Sequence, residues 1–205
     1  MKVLDINTWN RKQHFEHFKG LTDPYFAVTI PFNVTKAYQF SKNNNLSFFG
    51  KYLHDCMKAI NAVKALKLRI LEDNIVKFEV IHASATIMRE NNTFGFSFID
   101  FNSDLSVFIK NIESEKKRIN SSNDLFPPKN GLDCIHCSAM PWLNFLGHKE
   151  PISTSFDSVP KIAFSKASKV NNDFLMNVSI SVNHALVDGY DIGLFSEKFQ
   201  EFLNA

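Results

Sequence analysis

The sequence predicts an α+β fold with a mixed β-sheet and flanking helices, and three observations carry that expectation. The stretch Met176-Asn-Val-Ser-Ile-Ser-Val-Asn183 alternates strictly between apolar and polar residues, the period of a half-buried strand. Other short β-prone runs are interspersed with segments whose apolar residues recur every three or four positions, as in amphipathic helices. The two kinds of element follow one another without a regular strand–helix–strand rhythm, which favours a mixed sheet over a doubly wound parallel one.

Taken in order, Asp5 to Phe18 reads as a short turn or helix with Trp9, Phe15 and Phe18 turned inward. Tyr25 to Phe32 is apolar and β-prone, and Pro31 near its end argues for an edge strand or a strand boundary. Asn33 is placed to cap a helix through Ala37 and Phe40, which the polar run Ser41 to Asn45 should break. A longer helix is expected from about Ser47 to Val63, with Phe49, Leu53, Cys56, Met57 and Ile60 on one side. Short strands follow at Leu68–Leu71, Ile75–Val80 and Ala85–Met88, the first two joined by a turn at Asp73-Asn74. Thr93 to Ile99 alternates as a further strand. Asp104 to about Ile119 reads as a helix with Leu105, Phe108, Ile109 and Ile112 inward and a solvated basic end at Lys116, Lys117 and Arg118. Leu125 to Gly131 is a loop and Cys134 to Ala139 a strand, ending at Met140-Pro-Trp142. A polar, poorly patterned stretch runs on to Ser158, and Lys161 to Ser165 leads to the alternating strand. After it, His184-Ala-Leu-Val-Asp188-Gly189 turns the chain into a closing helix with Ile192, Phe195, Phe199 and Phe202 on its apolar face.

A length of 205 residues, without internal repeats or linker-like composition, is most simply one domain spanning 1–205, large enough to bury a core. The 21 phenylalanines supply abundant ring surface for a core, a subunit interface or an apolar pocket. A net charge of +2 with both signs interspersed gives no reason to expect nucleic acid or a membrane surface as partner. No run has the length of a transmembrane helix, and Met-Lys-Val-Leu-Asp-Ile-Asn lacks the apolar region of a signal peptide. With three cysteines and no export signal, the expected location is the cytoplasm, with reduced thiols.

Several chemistries lack their residues. There is no Gly-x-Ser-x-Gly elbow, no phosphate-binding glycine loop and no His-Glu-x-x-His, and seven glycines are few for a dinucleotide fold. Cys134-Ile-His-Cys137 is a C-x-x-C, but it sits in a β-like segment where the two thiols diverge. A redox dithiol instead needs a helix N-terminus, and a zinc site needs four ligands. Buried small residues are therefore the preferred reading, and no metal is expected. What remains is His184, leaving a buried strand with Asp188 four residues on. A lone histidine at a strand end is often only a hydrogen-bonded, partly buried side chain. Held on rigid supports, though, an imidazole is suited to proton transfer near neutral pH.

On these residues the chain resembles the chloramphenicol acetyltransferase family and, more distantly, the catalytic domains of dihydrolipoyl acyltransferases. Asn183-His-Ala-Leu-Val-Asp-Gly-Tyr is similar to the family's His-His-x-x-x-Asp-Gly motif. Trp9-Asn-Arg11-Lys-Gln-His-Phe15 matches its Trp-x-Arg-x-x-His-Phe signature, and Ser138-Ala-Met-Pro-Trp142 its Ser-x-x-Pro-Trp segment. The resemblance spans essentially the whole chain. It implies a homotrimer with sites at subunit interfaces, acetyl-CoA as co-substrate and chloramphenicol as the default acceptor, hence a role in antibiotic resistance. It further implies His184 as general base, Ser138 as hydroxyl donor to the oxyanion, and an Asp188–Arg11 pair holding the histidine loop.

Phe18, Phe26, Phe94, Phe126, His136 and Ala163 would line the acceptor pocket, and Lys166 would lie near the coenzyme. Four positions depart from the pattern. Asn183 replaces the first histidine, Phe18 a tyrosine that hydrogen-bonds the drug, His136 an asparagine, and Ala163 a threonine that holds a water. The machinery is kept while polar contacts to the acceptor change, which is expected to alter acceptor preference. The alternatives are the same reaction on another hydroxyl compound, or a catalytically silent trimeric binding protein.

Overall fold

A computed structural model describes residues 1–153 and 157–205. Among the described residues, ten strands form two sheets and five α-helices flank them. The larger has seven strands, in the order β2 (Tyr25–Asn33), β10 (Asp173–Asn183), β8 (Lys161–Phe164), β7 (Cys134–Ala139), β5 (His82–Met88) and β6 (Phe94–Phe96), with β9 (Ser168–Val170) paired to β10 off this path. The β5–β7 and β7–β8 pairs are parallel and the others antiparallel, so the sheet is mixed as expected. A small sheet joins β1 (Lys2–Val3), β4 (Asn74–Lys77) and β3 (Leu68–Leu71). The helices are α1 (Lys12–Phe18), α2 (Thr35–Asn43), α3 (Phe48–Ala62), α4 (Leu105–Asn120) and α5 (Gly189–Leu203).

The register gives the large sheet two unlike faces. Val178 pairs with Phe164 and Ile180 with Ile162, and these side chains join Leu53, Met57, Phe195 and Phe199 of α3 and α5 in the main core. On the opposite face Ser84, His136, Lys161 and Ser181 form one cross-strand row, and Ser138, Ala163 and Ser179 another. Alternation predicts β10 to be half-buried, yet Ser179, Ser181 and Asn183 are buried as well, because the chain returns over them. His148 O accepts from Ser179 and Asp157 O from Asn183.

Other elements depart locally, each for a visible reason. Asn33 stays in the β2 ladder opposite Leu175 and turns its Oδ1 to Thr35 N, so α2 starts at Thr35 and Val34 is its N-cap. The polar run from Ser41 does not stop that helix at once, since Ser41 Oγ bonds back to Ala37 O at 2.8 Å. The β3–β4 turn falls at Glu72-Asp73, with Glu72 at φ 55, one residue earlier than expected. The strand expected over 93–99 is cut to Phe94–Phe96, because the Ser97 hydroxyl enters the ladder beside Ala85 and Phe98 N turns to Glu115. The basic end of α4 is not simply solvated: Arg118 bonds Glu115 and Phe96 O, and Lys116 lines a cavity. Of the aromatics near the N-terminus, Phe15 is buried while Trp9 and Phe18 are half-buried. Pro31 does lie in an edge strand.

Candidate active site

The motif residues gather in two places. At the first, β10 ends at Asn183 and the chain turns through His184 to Asp188, the N-cap of α5. Asp188 accepts from Tyr190 N and Asp191 N, and Asp191 returns a carboxylate to Asp188 N, a reciprocal cap that fixes the helix start. Arg11 pairs with the other Asp188 oxygen and extends its second nitrogen to His184 O at 3.3 Å. Burial pushes the Asp188 carboxyl up, but Arg11 and the two helix amides more than offset it, leaving its pKa below the ordinary value.

The His184 ring is held on three sides. Nδ1 lies 3.0 Å from Val187 O, an acceptor that selects the tautomer with a proton on Nδ1 and a bare Nε2. Phe18 stacks on the ring at 4.1 Å and 17°, and Phe26 packs at 4.5 Å and 46°. His184 N also donates to Pro24 O at 2.9 Å, tying the loop to the start of β2.

The second place is a cavity of about 1100 Å³ that reaches the polar face of the sheet at Ser84, His136, Ser138 and Lys161. Ser138, His136, Phe94, Phe126 and Lys166 all line it; Tyr38, Phe48 and Tyr52 of the helices line it too. Lys161 and Lys166 lie at the start of β8 and just past its end, and Ser138 pairs with Ala163 between them. Ala163 is itself 1 % exposed and does not line the cavity, so its side chain supports the floor beside Ser138. His136 is exposed at the cavity, yet the surrounding protein and the Lys161 ammonium lower its pKa from the ordinary value.

The two places are well separated within one chain. Ser138 aligns through Ala163 with Ser179 of β10, and His184 lies five residues further along that strand's course. At about 3.4 Å per residue, and about 4.8 Å between neighbouring strands, His184 and Ser138 are roughly 20 Å apart. One chain therefore cannot bring both to one reacting carbon.

Cys134 and Cys137 are buried and unpaired, and burial raises both thiol pKa values, that of Cys134 to about 11. Cys134 sits in a small cluster with Phe98 and Val159, while Cys137 belongs to the main core, so the two thiols diverge. Among the described residues no group of three or more His, Cys, Asp or Glu side chains is arranged to hold a metal. The polar residues missed from the sequence are Tyr25, Lys161, Asp157 and Glu150, of which the last three are on or beside the loop next to the cavity; His148, considered only as a possible zinc ligand, lines the cavity too. No local pattern signalled the Asp157–Lys161 pair, because i,i+4 spacing brings side chains together on a helix and this segment leads into a strand.

Solved structures share this fold. A chloramphenicol acetyltransferase superposes with a TM-score of 0.90 at 24% identity, covering 98% of this chain and 99% of that one. The dihydrolipoamide acetyltransferase of Azotobacter vinelandii does so at 0.66 and 12% identity, covering 94% and 86%. The architecture is thus that of a class of acetyltransferases. Chloramphenicol acetyltransferase 3 of Escherichia coli is 26% identical over 208 residues, covering 98% of this chain and 96% of the relative. A profile of the family described as chloramphenicol acetyltransferase matches residues 1–200, and the chain belongs to that family of acyltransferases.

Proposed function

We propose that the chain transfers an acetyl group from acetyl-CoA directly to a hydroxyl of a small acceptor, with His184 as general base, in a cytoplasmic homotrimer. The observation that carries this reading is the His184 ring: Nδ1 is committed to Val187 O and two aromatic rings fix its plane, so a bare Nε2 is presented in one orientation. Nε2 takes the proton of the acceptor hydroxyl as its oxygen attacks the thioester carbonyl. The tetrahedral oxyanion accepts a hydrogen bond from Ser138 Oγ. Collapse expels the CoA thiolate, which recovers the proton from the imidazolium. Asp188 and Arg11 hold the loop without exchanging protons.

The separation of His184 from Ser138 supports a shared site, in which one subunit gives the base and its neighbour the cavity. Phe18 and Phe26 then come with the base, and Phe94, Phe126 and His136 with the cavity. The exposed Lys166 at one end of the cavity suits the phosphates of the acyl donor. Chloramphenicol is the default acceptor, and its acetylation would make the protein a resistance enzyme.

A second reading, the same transfer to a different hydroxyl compound, is favoured by the polar groups at the other end, where His136, His148, Glu150 and Lys161 line the cavity. A thiol-release assay with acetyl-CoA and a panel of hydroxylated acceptors, chloramphenicol included, separates the two. Thiol release with another acceptor and none with chloramphenicol selects the second. No release with any member of the panel overturns both.

A further inference from the structure

His184 and Ser138 leave unused a buried ion pair that lies between them. The Asp157 and Lys161 side chains are 9% and 5% exposed and meet at 2.6 Å. The same carboxylate accepts from Val159 N at 3.2 Å and shares the Tyr25 hydroxyl with Val159 O, each oxygen 3.0 Å from it. Its main-chain carbonyl accepts from Asn183 Nδ2 at 2.8 Å. Asn183 in turn receives Ala185 N on its Oδ1 at 2.9 Å and Leu186 N and Val187 N on its carbonyl. Val187 O is the group that fixes the His184 ring.

A second path leaves from Tyr25, which pairs with Asn183 across β2 and β10 and follows Pro24, the acceptor of His184 N. In the other direction Lys161 stands opposite His136 in the β7–β8 ladder, two residues from Ser138, and lines the cavity. A buried ion pair adds little stability that a well-packed apolar pair would not. Two chains of hydrogen bonds converging on one loop do have a geometric use.

We propose that Asp157 is a positioning residue: beside the cavity, its carboxylate, held by Tyr25 and Lys161, places the main-chain carbonyl that Asn183 binds, and so anchors the turn that sets the tautomer and orientation of His184. It touches neither substrate and acts through Asn183 and Tyr25. The inference rests on the acyl-transfer reading of His184. Asn183 matters here because its amide donates to Asp157 and accepts from Ala185 at once.

The test is Asp157→Asn in the intact assembly, which keeps an oxygen for Tyr25 and removes the charge that faces Lys161. A displacement of about 1 Å at a base can cost up to about a hundredfold, so kcat is expected to fall about ten- to a hundredfold with KM for acetyl-CoA unchanged. Ile112→Val, a core truncation on α4, is the control and keeps kcat at a matched loss of Tm. Nitrogen NMR of the His184 ring, assigned by its disappearance in His184→Ala, reads positioning independently of turnover. Wild type should show one tautomer, protonated on Nδ1, and Asp157→Asn a mixture. Should Asp157→Asn fold poorly, Tyr25→Phe removes one of the same ties and should shift the tautomer ratio less, in the same direction. An unchanged His184 tautomer in the folded variant overturns the proposal whatever kcat does. A wild type without acyl transfer overturns the acyl-transfer reading instead, and the tautomer spectrum still decides what Asp157 does.

Discussion

Asp188 performs two tasks that substitution can separate. One oxygen caps α5 through Tyr190 N at 3.0 Å and Asp191 N at 3.4 Å, and the other pairs with Arg11. Asparagine caps a helix about as well as aspartate, so Asp188→Asn removes the charge pair and keeps the cap. The Asp188 side chain is 35% exposed, and a pair so open to solvent contributes at most about 1 kcal/mol. Asp188→Ala also loses the cap, worth about another 1 kcal/mol. At about 2–4 °C per kcal/mol for a chain of this size, Asp188→Asn should lower Tm by at most about 2–4 °C, and Asp188→Ala by about 2–4 °C more than Asp188→Asn. Both are compared at one protomer concentration, because assembly shifts Tm.

The pH dependence has a definite sign. The folded pKa of Asp188 lies below its ordinary 3.8, so its contribution is fully present above that value and is lost as pH falls through the lower folded value. The Tm gap between wild type and Asp188→Asn should therefore be full at neutral pH and close only in strong acid. In both variants Arg11 loses its anchor while still reaching His184 O, and kcat should fall about tenfold or more as the loop loosens. Equal Tm for the two variants would refute the capping argument. Wild-type kcat in both would show that the pair does not position the histidine.

His184→Ala should lose about 10²–10⁴-fold in kcat with its assembly unchanged by light scattering, and retention of more than a tenth of the rate would remove it as the base. Ser138→Ala should lose about 10²–10³-fold, and co-refolding the two inactive variants should regenerate about one site in four if base and cavity come from different subunits of a closed ring. Cys134→Ser and Cys137→Ser should lower Tm and leave kcat in place, since burial keeps both thiols protonated; activity that followed a chelator or a change of redox state would contradict this. Phe18→Tyr should raise kcat/KM for chloramphenicol about three- to tenfold, the value of one neutral hydrogen bond, and no gain would argue for another acceptor.

What could be read from the sequence is what depends on neighbours along the chain. The β7 span Cys134–Ala139 and the core faces of β10 and α5 follow from periodicity, which needs only side-chain spacing. His184, Asp188 and Gly189 stand out because a strand end, a cap and a helix start must be adjacent in sequence. The polar face of the sheet could not be read in the same way. Alternation assigns Ser179, Ser181, Ala163 and Lys161 to the face away from the core, but it does not encode what lies over that face. Their burial comes from a segment without periodicity, and its defining contacts reach far along the chain, Tyr25 to Asp157 over 132 residues and Asn183 to Asp157 over 26. The distance between His184 and Ser138 is hidden for the same reason, since three motifs in the right order say nothing of register. Only the ladder from Ser138 through Ala163 to Ser179 puts the two side chains about 20 Å apart, and that separation is what the proposed sharing of one site between subunits has to bridge.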